Sequence, residues 1–218
     1  MKKKYELTDE HITFDGIELH RIRALRDFGD IEAGELGGYV ESTRNLSTID
    51  DAWVYGNAKV WGDARVYGNA RVCGNAKVCG NAKVCGNAEV CGNAAVYGNA
   101  KVWGDAEVCG NAWVYGDARV CGNAKVCGNA AVCGNAEVCG NAKVCGNADI
   151  LQIIGLGSVH RTTTICKTVD GDFRVICGCF RGNIDEFRDK IMETHGSSKF
   201  AQEYLAFVEV AKIYFGLK

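Results

Sequence analysis

Proline is absent from the whole 218-residue chain, although a chain of this length usually carries about ten prolines. Because proline has no backbone N–H to donate, its absence is typical of a backbone that is hydrogen-bonded between strands along most of its length. The sequence also has no apolar run near the roughly 18 residues of a membrane span. No apolar segment of a secretory signal follows the basic residues 2–4. We therefore expect a cytoplasmic chain that does not enter a membrane.

Charge of one sign is not in excess either. The 25 basic and 27 acidic residues give a formal charge of −2, which excludes attachment to nucleic acid by bulk charge. Glycine and cysteine are abundant instead, with 28 and 13 residues. Ten of the cysteines lie at multiples of six residues between positions 73 and 145. Their number therefore reflects a repeat, and we expect the thiols to be reduced in the cytosol.

A six-residue repeat fills residues 52–147 without an insertion. Sixteen consecutive hexads have alanine first, valine third and glycine fifth, and the sixth residue is asparagine or aspartate. Alanine and valine lie two residues apart, so on a strand they face the same side and can form a narrow core. Glycine and asparagine favour a turn because both tolerate positive φ. Each hexad therefore predicts a four-residue strand and a corner, with its second and fourth residues facing outward.

A single hexad cannot bury its own apolar face, so the hexads must stack on one another in a solenoid. The pattern Val-x-Gly-Asn-Ala-x resembles the hexapeptide repeat of left-handed parallel β-helices, in which three hexads form one triangular coil. The resemblance implies a mainly β fold, a single-stranded left-handed parallel β-helix of about five coils.

The segments on both sides of the repeat resemble those of uncharacterised phage and prophage proteins that carry such repeats. The resemblance rests on residues 19–25, 33–41 and 45–47 before the repeat and on residues 177–180 and 194–196 after it. We expect an N-terminal β cap or leader at 1–51, the β-helix at 52–153 and a C-terminal module at 157–218. The cap would keep the exposed end of the solenoid from aggregating.

The C-terminal module predicts two strands followed by two helices. Residues 162–168 and 173–180 are strand-like and predict a hairpin. Asn183 followed by Glu186 is typical of the capping box at the start of a helix. A second helix is expected after Ser198. This ββαα module would cap the last coil or mediate assembly.

The best-known enzymes with this repeat are acyltransferases, usually trimers, and the resemblance to them is partial. Their chemistry uses a histidine base near the coils and a loop that leaves the helix to bind the acyl carrier. All four histidines of this chain lie outside the hexads, and no hexad is interrupted. A trimeric hexapeptide-repeat acyltransferase is therefore the alternative hypothesis, and it would depend on His160 or His195. We assign no catalytic residue and expect no cofactor.

Every cysteine of the repeat occupies the fourth position of a hexad and so belongs to one of three columns. Such columns could pair as disulfides between coils or collect soft metal ions, which makes a thiol or metal sink a further alternative. A column alone offers a line of ligands and no tetrahedral cage. In the C-terminal module, a zinc site is a second hypothesis, against the simpler interpretation of a buried strand face. Its candidate ligands are Cys166, Cys177, Cys179 and His195.

A basic ladder is expected on one outer face of the coils. Residues 18 apart stack in neighbouring coils, which aligns Arg65, Lys83, Lys101 and Arg119. With aromatic residues beside it, this ladder could follow a phosphate backbone or bind an acidic partner. A solvated face produced by copying the hexad explains the same pattern.

A second face brings together Tyr97, Trp113 and Tyr115 as an apolar aromatic patch. Such a patch is a candidate interface with another subunit or a host protein. The features together favour a non-enzymatic binding or scaffold protein of phage or prophage type, located in the host cytosol if it is phage-encoded. Its rigid surface would bind a protein or an acidic partner, or would assemble copies of the chain into a dimer or trimer. Nucleic acid is a less favoured partner.

Overall fold

A β-solenoid of about six coils forms the centre of the computed structural model, which describes residues 3–217. Strands 18 residues apart in sequence pair in parallel, as Lys77 does with Ala95 and Ala95 with Trp113. The prediction of a mainly β, repeat-based solenoid is therefore confirmed. An antiparallel cap precedes the solenoid, and a second antiparallel sheet with two helices follows it.

The N-terminal cap contains β1 (Tyr5–Phe14), β2 (Ile17–Ala24) and β3 (Leu36–Val40). The solenoid contains β4 (Trp53–Val54), β5 (Lys59–Val60), β6 (Arg65–Val66), β7 (Arg71–Val72), β8 (Lys77–Val78), β9 (Lys83–Val84), β10 (Glu89–Val90), β11 (Ala95–Val96), β12 (Lys101–Val102), β13 (Glu107–Val108), β14 (Trp113–Val114), β15 (Arg119–Val120), β16 (Lys125–Val126), β17 (Ala131–Val132), β18 (Glu137–Val138) and β19 (Lys143–Val144). The C-terminal module contains β20 (Ile150–Leu156), β21 (Arg161–Lys167), β22 (Phe173–Cys177), β23 (Phe180–Gly182), α1 (Ile184–His195) and α2 (Lys199–Phe215), and a 3-10 turn (Asn147–Asp149) precedes it.

The solenoid has three outer faces, each formed by one column of parallel strands. We name them by the outward side chains that distinguish them. The aromatic face contains β5, β8, β11, β14 and β17 and is continued by the three strands of the cap. The basic face contains β6, β9, β12, β15 and β18. The thiol face contains β4, β7, β10, β13, β16 and β19.

The strands are shorter than the sequence predicts, two residues each instead of four. The fifth residue of the hexad takes positive φ and turns the chain immediately after the outward fourth residue. Hydrogen bonding to the next coil nevertheless continues around the corner. In one hexad, the N–H groups of Lys77, Cys79 and Asn81 all donate to carbonyl oxygens of the following coil, over 2.8 to 3.0 Å. Backbone pairing therefore runs through strand and corner alike, which agrees with the absence of proline.

The core of the solenoid consists of the alanines and valines of the hexads. All sixteen valines and all sixteen alanines are at most 1% exposed, so the predicted inward columns are confirmed. Each fully buried valine contributes about 1.5 to 3 kcal/mol relative to an exposed one. The small alanine leaves room for the chain to close into a narrow triangle.

Glycine at the corner is required for two separate reasons. Gly86 has a φ of +70°, a conformation that costs a side-chain-bearing residue about 1 to 2 kcal/mol. A Cβ atom at Gly86 would also lie 2.9 Å from the backbone nitrogen of Gly104 in the next coil. The corners therefore stack backbone on backbone, with no space for a side chain.

The asparagines at the sixth position form ladders along the corners. The Asn69 side chain donates to that of Asn87 over 3.0 Å, and Asn87 donates to the Asp105 carboxylate over 2.9 Å. Aspartate can accept such a bond and cannot donate one. The ladders thus explain why Asn predominates and Asp replaces it only at some corners.

The N-terminal cap supplies the first coil of the solenoid. Val40 pairs in register with Val60, and Leu46 bridges to Val66. This coil comes before the first hexad, which accounts for about six coils where the hexads alone predict five. Trp53 is fully buried beneath the cap although its position in the hexad faces outward.

The C-terminal sheet closes the other end of the solenoid. The predicted hairpin is present as β21 and β22, with β20 and β23 as additional neighbours. Cys166 and Ile176 on one side of the sheet belong to the solenoid core, whereas Ile165 and Val175 on the other side pack with the helices. Asn183 caps α1 as the sequence predicts. Within residues 3–217, no helix is long and apolar enough to cross a membrane.

Candidate functional site on the solenoid faces

The basic ladder is present on the basic face in the predicted register. Arg65 pairs with Lys83, Lys83 with Lys101, and Lys101 with Arg119, and all four side chains are exposed. None of them forms an ion pair with a described residue. Like charges on paired strands repel each other. The ladder is therefore a column of four positive charges, and it ends where Arg119 lies in register with Glu137.

Shallow cavities lie at both ends of this ladder. At the N-terminal end, a cavity of about 290 Å³ is lined by Arg44, Arg65 and Tyr67. At the C-terminal end, a cavity of about 280 Å³ separates the solenoid from the C-terminal sheet and is lined by Arg119 and Arg161 together with the carboxylates of Asp117 and Glu137. Positive side chains thus continue beyond the ladder at both ends, and at the C-terminal end carboxylates lie among them.

The aromatic patch is also present, on the aromatic face. The Tyr97 and Tyr115 rings stack in parallel, with centroids 5.0 Å apart, and Trp113 meets Tyr97 edge-on at 6.3 Å. Trp113 lies between the small side chains of Ala95 and Ala131 and is 52% exposed. Half of a large apolar side chain is thereby left in water.

The cap covers the upper part of this face and leaves the patch free. The Phe14 ring, at the tip of the β1–β2 hairpin, packs against Trp61 at 5.3 Å. The Lys77 ammonium lies 5.0 Å from the centre of the same Phe14 ring. The patch begins in the coil below Lys77.

Below the patch, the surface continues onto helix α2. Asn147 connects the two, since its side-chain oxygen accepts from the Ala131 N–H over 2.9 Å. Its carbonyl oxygen accepts from the Tyr214 hydroxyl over 3.1 Å. Beside Tyr214, Ile213 is 82% exposed and Val210 is exposed as well. Asn147 thus links the aromatic face to the part of α2 on which Val210 and Ile213 are exposed.

The thiols of the repeat stack in columns as predicted. Cys127 and Cys145, in adjacent coils of the thiol face, are joined as a disulfide with their Cα atoms 4.4 Å apart. The other eleven cysteines are free, so the expectation of reduced thiols is met by these eleven and is wrong for the Cys127–Cys145 pair.

Carboxylates join the thiol columns at three places, which the columns alone do not predict. In each place one glutamate oxygen and two cysteine sulfurs lie within 4.8 Å of one another. The three clusters are Cys73–Glu89–Cys91, Cys91–Glu107–Cys109 and Cys121–Glu137–Cys139. The repeat contains three glutamates, and each belongs to one of these clusters. The signal in the sequence is a glutamate two residues before one cysteine and 16 residues after another.

The protonation of these thiols follows from their surroundings. Burial, together with the neighbouring Cys73 thiol and nearby carboxylates, raises the pKa of Cys91 to about 11. Burial and the Glu107 carboxylate raise the pKa of Cys109 to about 12. In the third cluster, a hydrogen bond from Cys121 lowers the pKa of Cys139 to about 6. A cation placed between the sulfurs and the carboxylate would favour the thiolate in every cluster.

The proposed zinc ligands of the C-terminal module do not meet at one point. Cys177, Cys179 and His195 line the same cavity of about 250 Å³. Cys166 lies on the opposite side of the sheet, in the solenoid core, whereas Cys177 packs with the helices. Cys177 pairs with Thr163, which lies three residues from Cys166 on β21, and side chains an odd number of residues apart on a strand face opposite sides. No group of three donors with metal-ligand spacing among the described residues includes any of the four. A zinc site in the C-terminal module therefore stays a prediction for Cys177, Cys179 and His195, without Cys166.

The two histidines relevant to the acyltransferase hypothesis differ in their surroundings. His195 is half-buried within its own module, stacked on Tyr204 at 5.6 Å and near Phe200 at 6.2 Å. His160 is exposed on the loop between β20 and β21. Neither lies on the hexads.

Comparison with known protein families gives a match, and this match covers part of the repeat only. The family model described as the YdcK beta solenoid repeat matches residues 64–80. No curated protein matches the chain. The match therefore supports a repeat β-helix protein.

Proposed function

We propose that the protein is a non-enzymatic binding scaffold of phage or prophage type that acts in the cytosol. The phage or prophage type is supported by the resemblance of the segments that flank the repeat. The cytosol is supported by the eleven free cysteines, which outnumber the two in the Cys127–Cys145 disulfide, since a reducing compartment keeps most thiols unpaired. The stacked coils provide a rigid surface on which binding residues keep fixed spacings.

The observation that carries this proposal is the exposed aromatic patch. Trp113 is 52% exposed between two alanines, with the Tyr97 and Tyr115 rings stacked beside it. Covering such a surface is favourable by roughly 25 cal/mol per Å² of apolar area. Aromatic side chains are also enriched among the residues that dominate binding energy at interfaces. We propose that the patch associates copies of the chain into a dimer or trimer, with the exposed Ile213 of α2 as a further contact of the same interface.

A second binding role is favoured by the basic ladder. None of its four side chains forms an ion pair within residues 3–217, although Arg119 lies in register with Glu137, so an acidic partner would relieve the repulsion among them. The spacing is fixed by the coils, which suits an extended acidic segment of a protein. We propose that the basic face binds an acidic segment of a partner protein. This binding is independent of assembly through the aromatic patch.

Two matched double variants test these roles. Trp113→Ser with Tyr115→Ser removes the patch, and Lys83→Ser with Lys101→Ser removes the centre of the ladder. Oligomer mass is measured by sedimentation, and binding of a poly-glutamate peptide by fluorescence anisotropy at low and moderate salt. We expect the first variant to become monomeric while it keeps peptide binding, and the second to lose peptide binding while it stays oligomeric. A monomeric wild-type chain would contradict the role of the patch.

The trimeric acyltransferase remains the alternative proposal. It is tested by calorimetry with acetyl-CoA on the wild-type chain. Saturable binding, together with acetyl transfer to a small acceptor, would favour the enzyme over the scaffold.

A further inference from the structure

The thiol face carries a feature that binding of protein partners does not use, namely two of the three Cys–Glu–Cys clusters, Cys73–Glu89–Cys91 and Cys91–Glu107–Cys109. Cys73 and Cys91 occupy the same position in adjacent coils, one above the other. Glu89 begins β10 and Cys91 directly follows that strand, two residues after Glu89, so the two side chains leave the extended backbone on the same side. The three side chains therefore form a triangle and not a line.

We propose that Cys73, Glu89 and Cys91 form a binding site for a thiophilic divalent cation of the zinc class. Zinc is held in proteins by cysteine sulfur, histidine nitrogen and carboxylate oxygen, most often in a tetrahedral arrangement. Three ligands from the chain leave the fourth position open to water. The site goes beyond the binding roles of the aromatic patch and the basic ladder.

The spacing of the donor atoms fits such an ion. The Cys73 sulfur lies 3.6 Å from a Glu89 carboxylate oxygen. A tetrahedral zinc ion with bonds of about 2.3 Å to sulfur and about 2.1 Å to oxygen holds those two atoms roughly 3.6 Å apart. All three donor atoms lie within 4.8 Å of one another, so small side-chain rotations complete the triangle.

The charge distribution selects this cluster from the three. Arg71, which is in register with Glu89 in the coil above, forms an ion pair with Asp30 of the cap at 2.9 Å. Glu89 forms no ion pair with a described residue. It is therefore a partly exposed carboxylate, beside two sulfurs, that no cation among the described residues neutralises.

In the other two clusters a basic side chain already holds the carboxylate. Lys125 contacts Glu107 over 2.8 Å, and Arg181 contacts Glu137 over 2.6 Å. In the Glu137 cluster both thiols are also buried, Cys121 at 9% and Cys139 at 5% exposed. A metal ion would have to displace the basic group there, so we expect these clusters to bind more weakly.

Binding at the proposed site exchanges protons for the metal ion. The two thiols lose their protons as the sulfurs coordinate the cation. A cysteine thiol ordinarily carries its proton at neutral pH, so both protons must be displaced by the cation. Affinity then rises by up to about 100-fold per pH unit, because two protons leave for each ion bound.

The test is a titration of the full chain, kept reduced with a phosphine, with Co²⁺ as a spectroscopic probe and Zn²⁺ as competitor. Thiolate coordination gives a ligand-to-metal charge-transfer band that carboxylate binding lacks. We expect the first equivalent of Co²⁺ to show this band and to be displaced by Zn²⁺. Glu89→Gln should weaken that equivalent by at least about tenfold, since even loss of a residue that orients a metal ligand costs 10- to 100-fold. Cys91→Ser should abolish the band of that equivalent.

Two control variants fix the assignment. Cys79→Ser removes a thiol at the same hexad position as Cys91, but in a hexad that has Lys77 where the proposed site has Glu89. Glu137→Gln alters the cluster whose carboxylate is already paired with Arg181. Both should leave the first equivalent unchanged. The proposal is overturned if the first equivalent lacks the charge-transfer band, if Glu89→Gln leaves it unchanged, or if Glu137→Gln weakens it instead. Glu89→Gln changes a surface side chain, so its result decides the matter even if Cys91→Ser lowers stability.

Discussion

The buried ammonium group of Lys4 donates a hydrogen bond of 2.6 Å to the carbonyl oxygen of Ala52, the first residue of the repeat. It donates a second bond, of 2.8 Å, to the Asp50 carbonyl oxygen. In the stacked coils, such a carbonyl accepts from an N–H of the coil above, as Ala70 does from Trp53. Ala52 has no hexad above it. The Lys4 side chain takes the place of the missing donor and closes the top of the solenoid.

Replacement of Lys4 by methionine should destabilise the protein by about 1 to 3 kcal/mol, because two buried carbonyl groups lose their donor. Methionine keeps most of the length and apolar volume of the lysine chain. The neighbouring Lys3 is exposed, so Lys3→Met serves as a control and should change stability by less than about 0.5 kcal/mol. Urea unfolding followed by circular dichroism gives both values. Equal stabilities of the two variants would contradict this role of Lys4.

Replacement of Gly86 by alanine should be more costly than the same change at Gly16. Both glycines have positive φ, +70° and +77°, so both variants carry a backbone strain of about 1 to 2 kcal/mol. At Gly86 the new Cβ atom also meets the backbone of Gly104 at 2.9 Å, whereas nothing lies within 4 Å at Gly16. We expect the unfolding midpoint to fall further for Gly86→Ala. Midpoints shifted by the same amount would mean that the corners can spread without cost.

Alkaline pH should destabilise the folded protein through its buried thiols. Burial raises the pKa of Cys166 to about 12, and Cys91 and Cys109 titrate near 11 and 12, against an ordinary value of 9.0. The unfolded chain therefore loses these protons first as the pH rises. The stabilisation is fully present below about pH 9 and is lost as the pH rises through 11 to 12.

The titration of Lys4 changes the stability of the folded protein in the opposite direction, over a lower pH range. Burial lowers its pKa from 10.5 to about 8, so its contribution to stability increases between those two values. The decline due to the thiols should thus be clearest above pH 10.5. Urea midpoints measured under reducing conditions from pH 8 to 12 check the sign. Cys166→Ala, compared with its own value at pH 8, should show a smaller decline than the wild-type chain.

The sequence reveals the solenoid because its constraints repeat. Alanine, valine and glycine occupy fixed positions sixteen times, so a single physical interpretation of the hexad applies to every coil. The register of the basic ladder and of the aromatic patch follows directly from the period. The same reasoning fails at the ends, where no residue is repeated. The contact of Lys4 with Ala52 spans 48 residues and leaves no pattern in the sequence.

Side-chain partners within the repeat were also not evident from periodicity. Both the turn and the side-chain ladders favour asparagine at the sixth position of the hexad. The ladders depend on side-chain rotamers, which the six-residue period does not define. The pairing of Arg71 with Asp30 depends on where the cap loop passes. That pairing leaves Glu89 free beside Cys73 and Cys91, and so distinguishes one thiol cluster from the others.

Trp53 and Trp113 occupy the same position of the hexad, and the structure gives them opposite surroundings. Trp53 is fully buried, with Phe28 at 5.3 Å and Tyr5 at 6.1 Å, both edge-on, whereas Trp113 is 52% exposed. Trp53→Ala should therefore destabilise the protein by about 3 to 5 kcal/mol, the usual cost of a large cavity in a core. Trp113→Ala should change the stability of the monomer by less than about 1 kcal/mol. Urea unfolding at a protein concentration low enough to keep the chain monomeric separates this effect from loss of assembly. Similar losses for the two variants would show that the cap does not pack on the first hexad as a core.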